Sequence, residues 1–293
     1  MKRFAMKNIT KSTYSYNYLL PALVIYVLFF IVPTIVSIFF SLTRWTLFDW
    51  EFIGFENFIN FFQEYSLSIG LRNSLIYGAL TSGLKVVFGL LIAVFLCSEI
   101  KTKNYLRTVI FFPALISTIA VGAIFKALMN PTRGPINQIL EAIGINGPSW
   151  LGNPHLALFS VIFVDVWKGV GIATVIYIAG LMSIPPHYYE ACAIDGGNSF
   201  HKFFYITLPL VRPAMNAVII LSFISGLKSF DIIWAMTGGG PGFASDVLAS
   251  VIYKQYINGF YGLATAGNVI LFILISIIAF PLYKFLSRGE VEY

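Results

Sequence analysis

Long apolar runs alternate along the chain with shorter polar or aromatic breaks. Six runs reach the roughly 20 residues that a helix needs to cross a bilayer. They fall at 18–40, 74–96, 108–129, 156–181, 214–234 and 263–285. An open sheet would leave backbone amides unsatisfied in lipid, and no run alternates between two faces as a barrel strand does. The pattern therefore predicts an all-α integral membrane protein with six transmembrane helices. The first run exceeds the apolar part of a cleaved signal and lacks a small-residue cleavage site, so it reads as a retained span.

Composition agrees. Of 293 residues, 58% are hydrophobic and 11% charged, against about 45–50% and 25% in soluble domains. The net charge of +6 could suggest nucleic acid. However, Lys and Arg lie mostly between the apolar runs and form no aromatic-interleaved basic patch. They do set an orientation. With the N-terminus inside, Lys2, Arg3, Lys7, Lys11, Lys101, Lys103, Arg107, Lys202, Arg212, Lys284 and Arg288 face the cytoplasm, and only Arg44, Arg72, Arg133 and Lys254 face out. The positive-inside rule favours this N-in/C-in arrangement. Cys97 and Cys192 then lie on the reducing side, where no disulfide is expected. No metal-ligand spacing is found, no GxxxxGK[ST] loop exists to hold ATP, and no Ser–base or metal constellation suggests an intramembrane enzyme.

The most informative break lies at 187–213. Pro185 and Pro186 suit the start of a helix. Tyr188 to Ile194 follow, with small Ala191, Cys192 and Ala193, before Gly196 and Gly197 interrupt. Ser199 is a candidate cap for a second short helix carrying Phe200, Phe203, Phe204 and Ile206, ended by Leu208-Pro209. The string Glu190-Ala191, Asp195-Gly196, Phe203, Ile206, Leu208-Pro209 and Pro213 resembles the EAA loop of binding-protein-dependent ABC transporter permeases, in the spacing of their carbohydrate (maltose-type) branch. It departs at Cys192 and Gly197, where the family more often has other small residues. Further phrases resemble the same branch: Ile53-Gly54-Phe55-Glu56-Asn57-Phe58, the Asn130 to Leu140 stretch with Trp150-Leu151-Gly152-Asn153-Pro154, and Gly238-Gly239-Gly240-Pro241 after the fifth run. The 43–71 stretch also reads as an interfacial aromatic belt with a short helix, and 136–143 as an amphipathic piece.

This resemblance implies a transmembrane permease subunit of an ATP-driven importer for a sugar or oligosaccharide, in a prokaryotic cell membrane. The chain would carry no cofactor and not be an enzyme. ATP and Mg would sit on an ABC ATPase dimer. A second permease (forming a heterodimer), an extracytoplasmic solute-binding protein, the sugar and membrane lipid would be its other partners. Its organisation would be a cytoplasmic tail at 1–15, a first span at 16–41, an extracytoplasmic segment at 42–71 and a permease core at 72–289, with a coupling loop at 182–212 between helices 4 and 5. The resemblance assigns ATPase coupling to Glu190 as the charged contact, Ala191 and Gly196 for close approach, Asp195 to fix the turn, and Leu208 and Pro209 to orient the loop.

Polar residues inside spans are costly and tend to face a cavity or one another. In the maltose-type permeases that the chain resembles, the sugar lies among the spans before the EAA and GGGP phrases. Counting back from those phrases, the resemblance implies Asp165, Lys168, Gly169, Ser222, Gly226 and Ser229 as solute-path candidates, with Thr118 on the third run as a further one. Asp165 with Lys168, and Lys228 with Asp231, are also spaced to neutralise each other along one helix. Lys85 and Lys126 read as snorkelling or as pairing with a partner chain. Trp167 and Trp234 are candidate stacking surfaces for a sugar, and small residues from Gly259 to Gly267 suggest close packing. A stand-alone secondary transporter or channel would need its coupling groups inside the membrane, and an inverted repeat, which is not evident, would support it. A permease for a non-sugar solute is the nearer alternative.

Overall fold

The computed structural model describes residues 16–46 and 48–288; the tail at 1–15, with Lys2, Arg3, Lys7 and Lys11, lies outside them. The described chain is almost wholly helical. A short 3-10 turn, Tyr16–Leu19, leads into α1 (Leu20–Ser41). A hairpin follows, β1 (Thr43–Trp45) and β2 (Trp50–Phe52), then α2 (Glu56–Gln63) and the 33-residue α3 (Tyr65–Cys97). Next come α4 (Lys103–Leu115), α5 (Thr118–Leu128), α6 (Pro135–Ala142) and α7 (Ala157–Met182). The chain continues with α8 (His187–Ile194) and α9 (Ser199–Leu210), and then α10 (Arg212–Leu227), α11 (Asp231–Met236), α12 (Leu248–Ile257) and α13 (Tyr261–Ser287).

Four helices, α1, α3, α7 and α13, are long and apolar enough to cross a membrane; α4 with α5 and α9 with α10 raise this to as many as six if each bent pair is one span. The fourth and sixth apolar runs match α7 and α13 closely. The third does not: α4 and α5 meet at 97°, because Ile116 and Ser117 are extended, one turn beyond Pro113. The fifth run is also broken, between α10 and α11. Uninterrupted hydropathy carries no sign of either bend. A short hairpin also interrupts the helices. Antiparallel pairing sets Trp45 opposite Trp50 and Thr43 opposite Phe52, and such aromatic and β-branched cross-strand partners stabilise a ribbon.

The chain divides into two compact units: the described parts of 1–61 with 255–269, and of 62–254 with 270–293. In the first, the Asn57 amide donates to the carbonyls of Ser41 (2.9 Å) and Thr43 (2.8 Å), satisfying acceptors freed where α1 ends. Trp45 stacks on Phe40 at 4.3 Å. Gly262, at the start of α13, leaves room for the Thr43 carbonyl, which a Cβ there would strike. In the second, α3 and α7 form the central pair. One apolar cluster gathers Tyr77, Val121, Val161, Ile162, Ile232 and Met236. The other joins Leu90, Ala93, Ala173, Tyr177, Val211 and Val218. Gly78 on α3 and Gly226 on α10 bring their backbones together: a Cβ on Gly226 would stand 2.8 Å from the Gly78 Cα.

Candidate functional site

A cavity of about 670 Å³ opens in the second unit among α3, α5, α7, α10 and the α10–α11 joint. Six of the seven solute-path candidates line it: Thr118, Asp165, Lys168, Gly169, Ser222 and Ser229. The break at Ser117 places Thr118 at the first turn of α5. Asp165 and Gly169 share a face of α7 one turn apart. Gly226 is the exception. It is buried at the α3–α10 crossing, outside the cavity lining, where a Cβ would meet the Gly78 backbone.

The charges pair differently from the same-helix expectation. Lys85 Nζ of α3 donates to Asp165 Oδ2 of α7 at 2.7 Å, with the two side chains only 7% and 18% exposed. Lys85 therefore neither snorkels nor reaches outside the chain. Gly169 makes this possible, since a Cβ there would lie 2.6 Å from the Lys85 Cε. Lys168, Lys228 and Asp231 also line the cavity, and none forms an ion pair within 4.0 Å among the described residues. The Ser229 hydroxyl donates to the buried Tyr77 hydroxyl at 3.3 Å, tying the α10–α11 joint to α3. Trp167 packs tilted against Phe125, and Trp234 stacks on Phe230. Neither tryptophan lines the cavity, whereas Phe230 does.

The second site is the 187–211 stretch. Pro186 precedes α8 and Gly196 ends it at φ 80°. The Gly197 amide donates to the Cys192 carbonyl (2.8 Å) and the Gly196 amide to that of Ala193 (3.2 Å). That is a Schellman ending, which calls for glycine. The backbone thus makes the turn, and the Asp195 carboxylate has no partner among the described residues. Asn198, not Ser199, caps α9, accepting from the His201 amide at 3.0 Å. Leu208-Pro209 does not end that helix. It runs on to Leu210, and the 65° bend into α10 comes at buried Val211. A hydroxyl contact between Tyr189 and Thr207 (3.2 Å) joins α8 to α9. Glu190, Ala191, Asp195, Gly196 and Pro209 are exposed and Leu208 is half-buried. The surface there is also apolar, with Ile194 86%, Tyr205 73% and Phe200 64% exposed.

Comparison with known proteins places this architecture. The family model for the inner membrane component of binding-protein-dependent transport systems matches residues 85–290. The chain belongs to this permease family. It is 33% identical to a probable ABC transporter permease protein (YurN) of Bacillus subtilis, covering 94% of this chain and 97% of the relative. It is 32% identical to the trehalose/maltose transport system permease protein MalF of Thermococcus litoralis, covering 89% of each. Among solved structures it resembles a bacterial ABC transporter involved in the import of the acidic polysaccharide alginate, with a TM-score of 0.83, 24% identity, and 97% and 98% of the two chains covered. A second structure of such a transporter, in complex with alginate pentasaccharide-bound periplasmic protein, gives 0.81 at 23% identity over 96% and 95%.

The permease has two further polar assemblies that sequence reading missed. In the glycine-rich loop after α11, Gly238, Gly239 and Gly242 take positive φ. The fully buried Asp246 carboxylate accepts from Lys254 (2.6 Å) and Ser250 (2.7 Å). The Asn73 amide of α3 donates to the carbonyls of Ala244 (3.1 Å) and Asp246 (2.8 Å). In the segment before α7, Asn137 donates to the carbonyls of Pro131 and Pro148 and accepts from the Trp150 indole at 2.7 Å. Only its place as a polar side chain beside an apolar run could have signalled Asn73; Lys85 stood out inside its run, but its pairing with Asp165 did not show from the sequence. Asp246 and Lys254, eight residues apart, gave no signal until the loop was folded.

Proposed function

We propose that this permease is the transmembrane subunit of an ATP-driven importer for a sugar or oligosaccharide. The observation that carries the reading is the convergence of Thr118, Asp165, Lys168, Gly169, Ser222 and Ser229 on one cavity between the long helices. It has donors and acceptors for hydroxyl groups, in a family defined by binding-protein-dependent transport. The sugar class is supported by the relative that transports trehalose and maltose. In this reading the chain crosses the membrane six times, each bent pair counting as one crossing, with both termini in the cytoplasm of a prokaryotic cell. The tail at 1–15, the first span at 16–41, the extracytoplasmic segment at 42–71 and the core at 72–289 keep their roles.

The 182–212 loop docks into a separate ABC ATPase dimer, which holds ATP and Mg; the permease binds no cofactor of its own. Glu190 supplies the charged contact and Ala191 the close approach. Gly196 sets the angle between α8 and α9, the free Asp195 carboxylate faces the ATPase, and Leu208 and Pro209 aim the loop at α10. A second, different permease completes the path, and an extracytoplasmic binding protein delivers solute from the outer face. ATP and the loaded binding protein drive the cycle by binding one of two permease conformations better than the other. The family does not favour a stand-alone secondary transporter or channel.

The test is ATP hydrolysis in liposomes holding the permease with its partner permease and ATPase, with and without binding protein and a panel of oligosaccharides. Stimulation by a sugar only when the binding protein is present is expected. Solute movement by this chain alone, or stimulation by amino acids and not sugars, would overturn the reading.

A further inference from the structure

Lys85 is the most deeply buried charge facing the cavity, and its pairing leaves hydrogen-bonding capacity unspent. An ammonium carries three N–H donors. One goes to Asp165 Oδ2, and Lys85 makes no second hydrogen bond among the described residues. A buried ion pair rarely stabilises a fold beyond what apolar residues of the same volume achieve, and charges inside a membrane mark solute paths by default. The pair also lies beside the hydroxyls of Thr118, Ser222 and Ser229 in the same cavity. Gly169 is the gap through which the lysine stem crosses to Asp165; a Cβ there would approach the ammonium to 2.9 Å.

We propose that the Lys85–Asp165 pair is the solute-selecting floor of the cavity and that it suits a neutral, polyhydroxylated solute. A sugar hydroxyl both donates and accepts, so it can bridge the pair, accepting from Lys85 while donating to Asp165. An anionic solute would have to take Lys85 from Asp165 while approaching that carboxylate. The pair, being neutral overall, offers no such exchange; an anion would be held instead by Lys168 or Lys228, which line the same cavity without an ion pair among the described residues. This proposal rests on the reading of the chain as a sugar importer.

The experiment compares uptake of neutral oligosaccharides, their monodeoxy analogues and acidic oligosaccharides in liposomes holding the whole transporter with its binding protein. The binding protein is the same throughout, so its own selectivity cancels between permease variants. Lys85→Gln/Asp165→Asn removes both charges and keeps hydrogen-bonding groups; Gly169→Ala displaces the ammonium and removes no charge. A hydrogen bond to a charged group is worth about a factor of ten or more. The native preference for a neutral sugar over its monodeoxy analogue should narrow by about that factor in the double variant and move the same way in Gly169→Ala. If the pair were only structural, both sugars would slow equally and the ratio would hold, which overturns the proposal. Import by the native permease of acidic oligosaccharides alone would also overturn it and leave the importer reading intact. Import of no saccharide would overturn both.

Discussion

The buried Lys85–Asp165 pair and the 187–211 stretch belong to one compact unit and handle charge in opposite ways. In the cavity, Lys85 and Asp165 come from different helices, meet at 2.7 Å and are shielded from solvent. On α8 and at its C-terminal cap, Glu190 and Asp195 stand exposed without a partner among the described residues, beside Ile194, whose side chain is bare. A charge paired within the chain is positioned for something small that enters between the helices. A charge left unpaired beside exposed apolar residues is positioned for something large that covers both. The same contrast appears in the helices: α3 and α7 bury 39% and 44% of their most apolar windows, whereas α1 buries none and α13 6%.

Removing one partner of the buried pair should produce the largest effect. Asp165→Leu or Lys85→Met leaves an uncompensated charge, at a cost of about 3–5 kcal/mol. Either should sharply lower the yield of folded permease in detergent, and Lys85→Gln/Asp165→Asn should restore most of it. Equal yields from single and double variants would erase the distinction between the two regions. A smaller effect is expected at the α3–α10 crossing. Gly226→Val forces side-chain atoms against Gly78 and Thr81, an overpacking cost of about 1–3 kcal/mol, readable as a lowered melting temperature. At the loop, Gly196→Asp puts a side chain where φ is 80°, which costs about 1–2 kcal/mol, and it should also reduce solute-stimulated ATP hydrolysis. The smallest effect on stability is expected for Glu190→Lys. As an exposed substitution it should stay within about 0.5 kcal/mol of the native melting behaviour, while solute-stimulated hydrolysis collapses. If stability and coupling fell together in Glu190→Lys, α8 would be a structural element rather than a contact.

Much of this was legible in the sequence where the signal is local. The apolar runs at 156–181 and 263–285 mark α7 and α13 nearly to the residue, because a span is written as continuous hydropathy. Gly196 marks the end of α8 because a Schellman turn needs a residue that tolerates positive φ. Residues that meet only across helices were harder. Asp165 was identified with Lys168, three positions along, whereas its partner Lys85 lies 80 residues away on α3. Gly226, a path candidate in the sequence, sits outside the cavity lining at the α3–α10 crossing, since a missing side chain serves either end. The bend at Ile116 and Ser117 was invisible because both residues lie inside an apolar run. The hairpin was hidden because aromatic residues at a membrane interface suit a belt as well as a strand pair.

The contrast between the two regions is tested most directly by cross-linking at position 190. In a chain with Cys97→Ser and Cys192→Ser, Glu190→Cys and, as the cavity control, Ser222→Cys would be combined in membranes with the ATPase and a short bifunctional thiol reagent. A cross-link from Glu190→Cys to the ATPase subunit, and none from Ser222→Cys, is the predicted result. Absence of any cross-link from Glu190→Cys in a complex that still hydrolyses ATP on solute addition would contradict it.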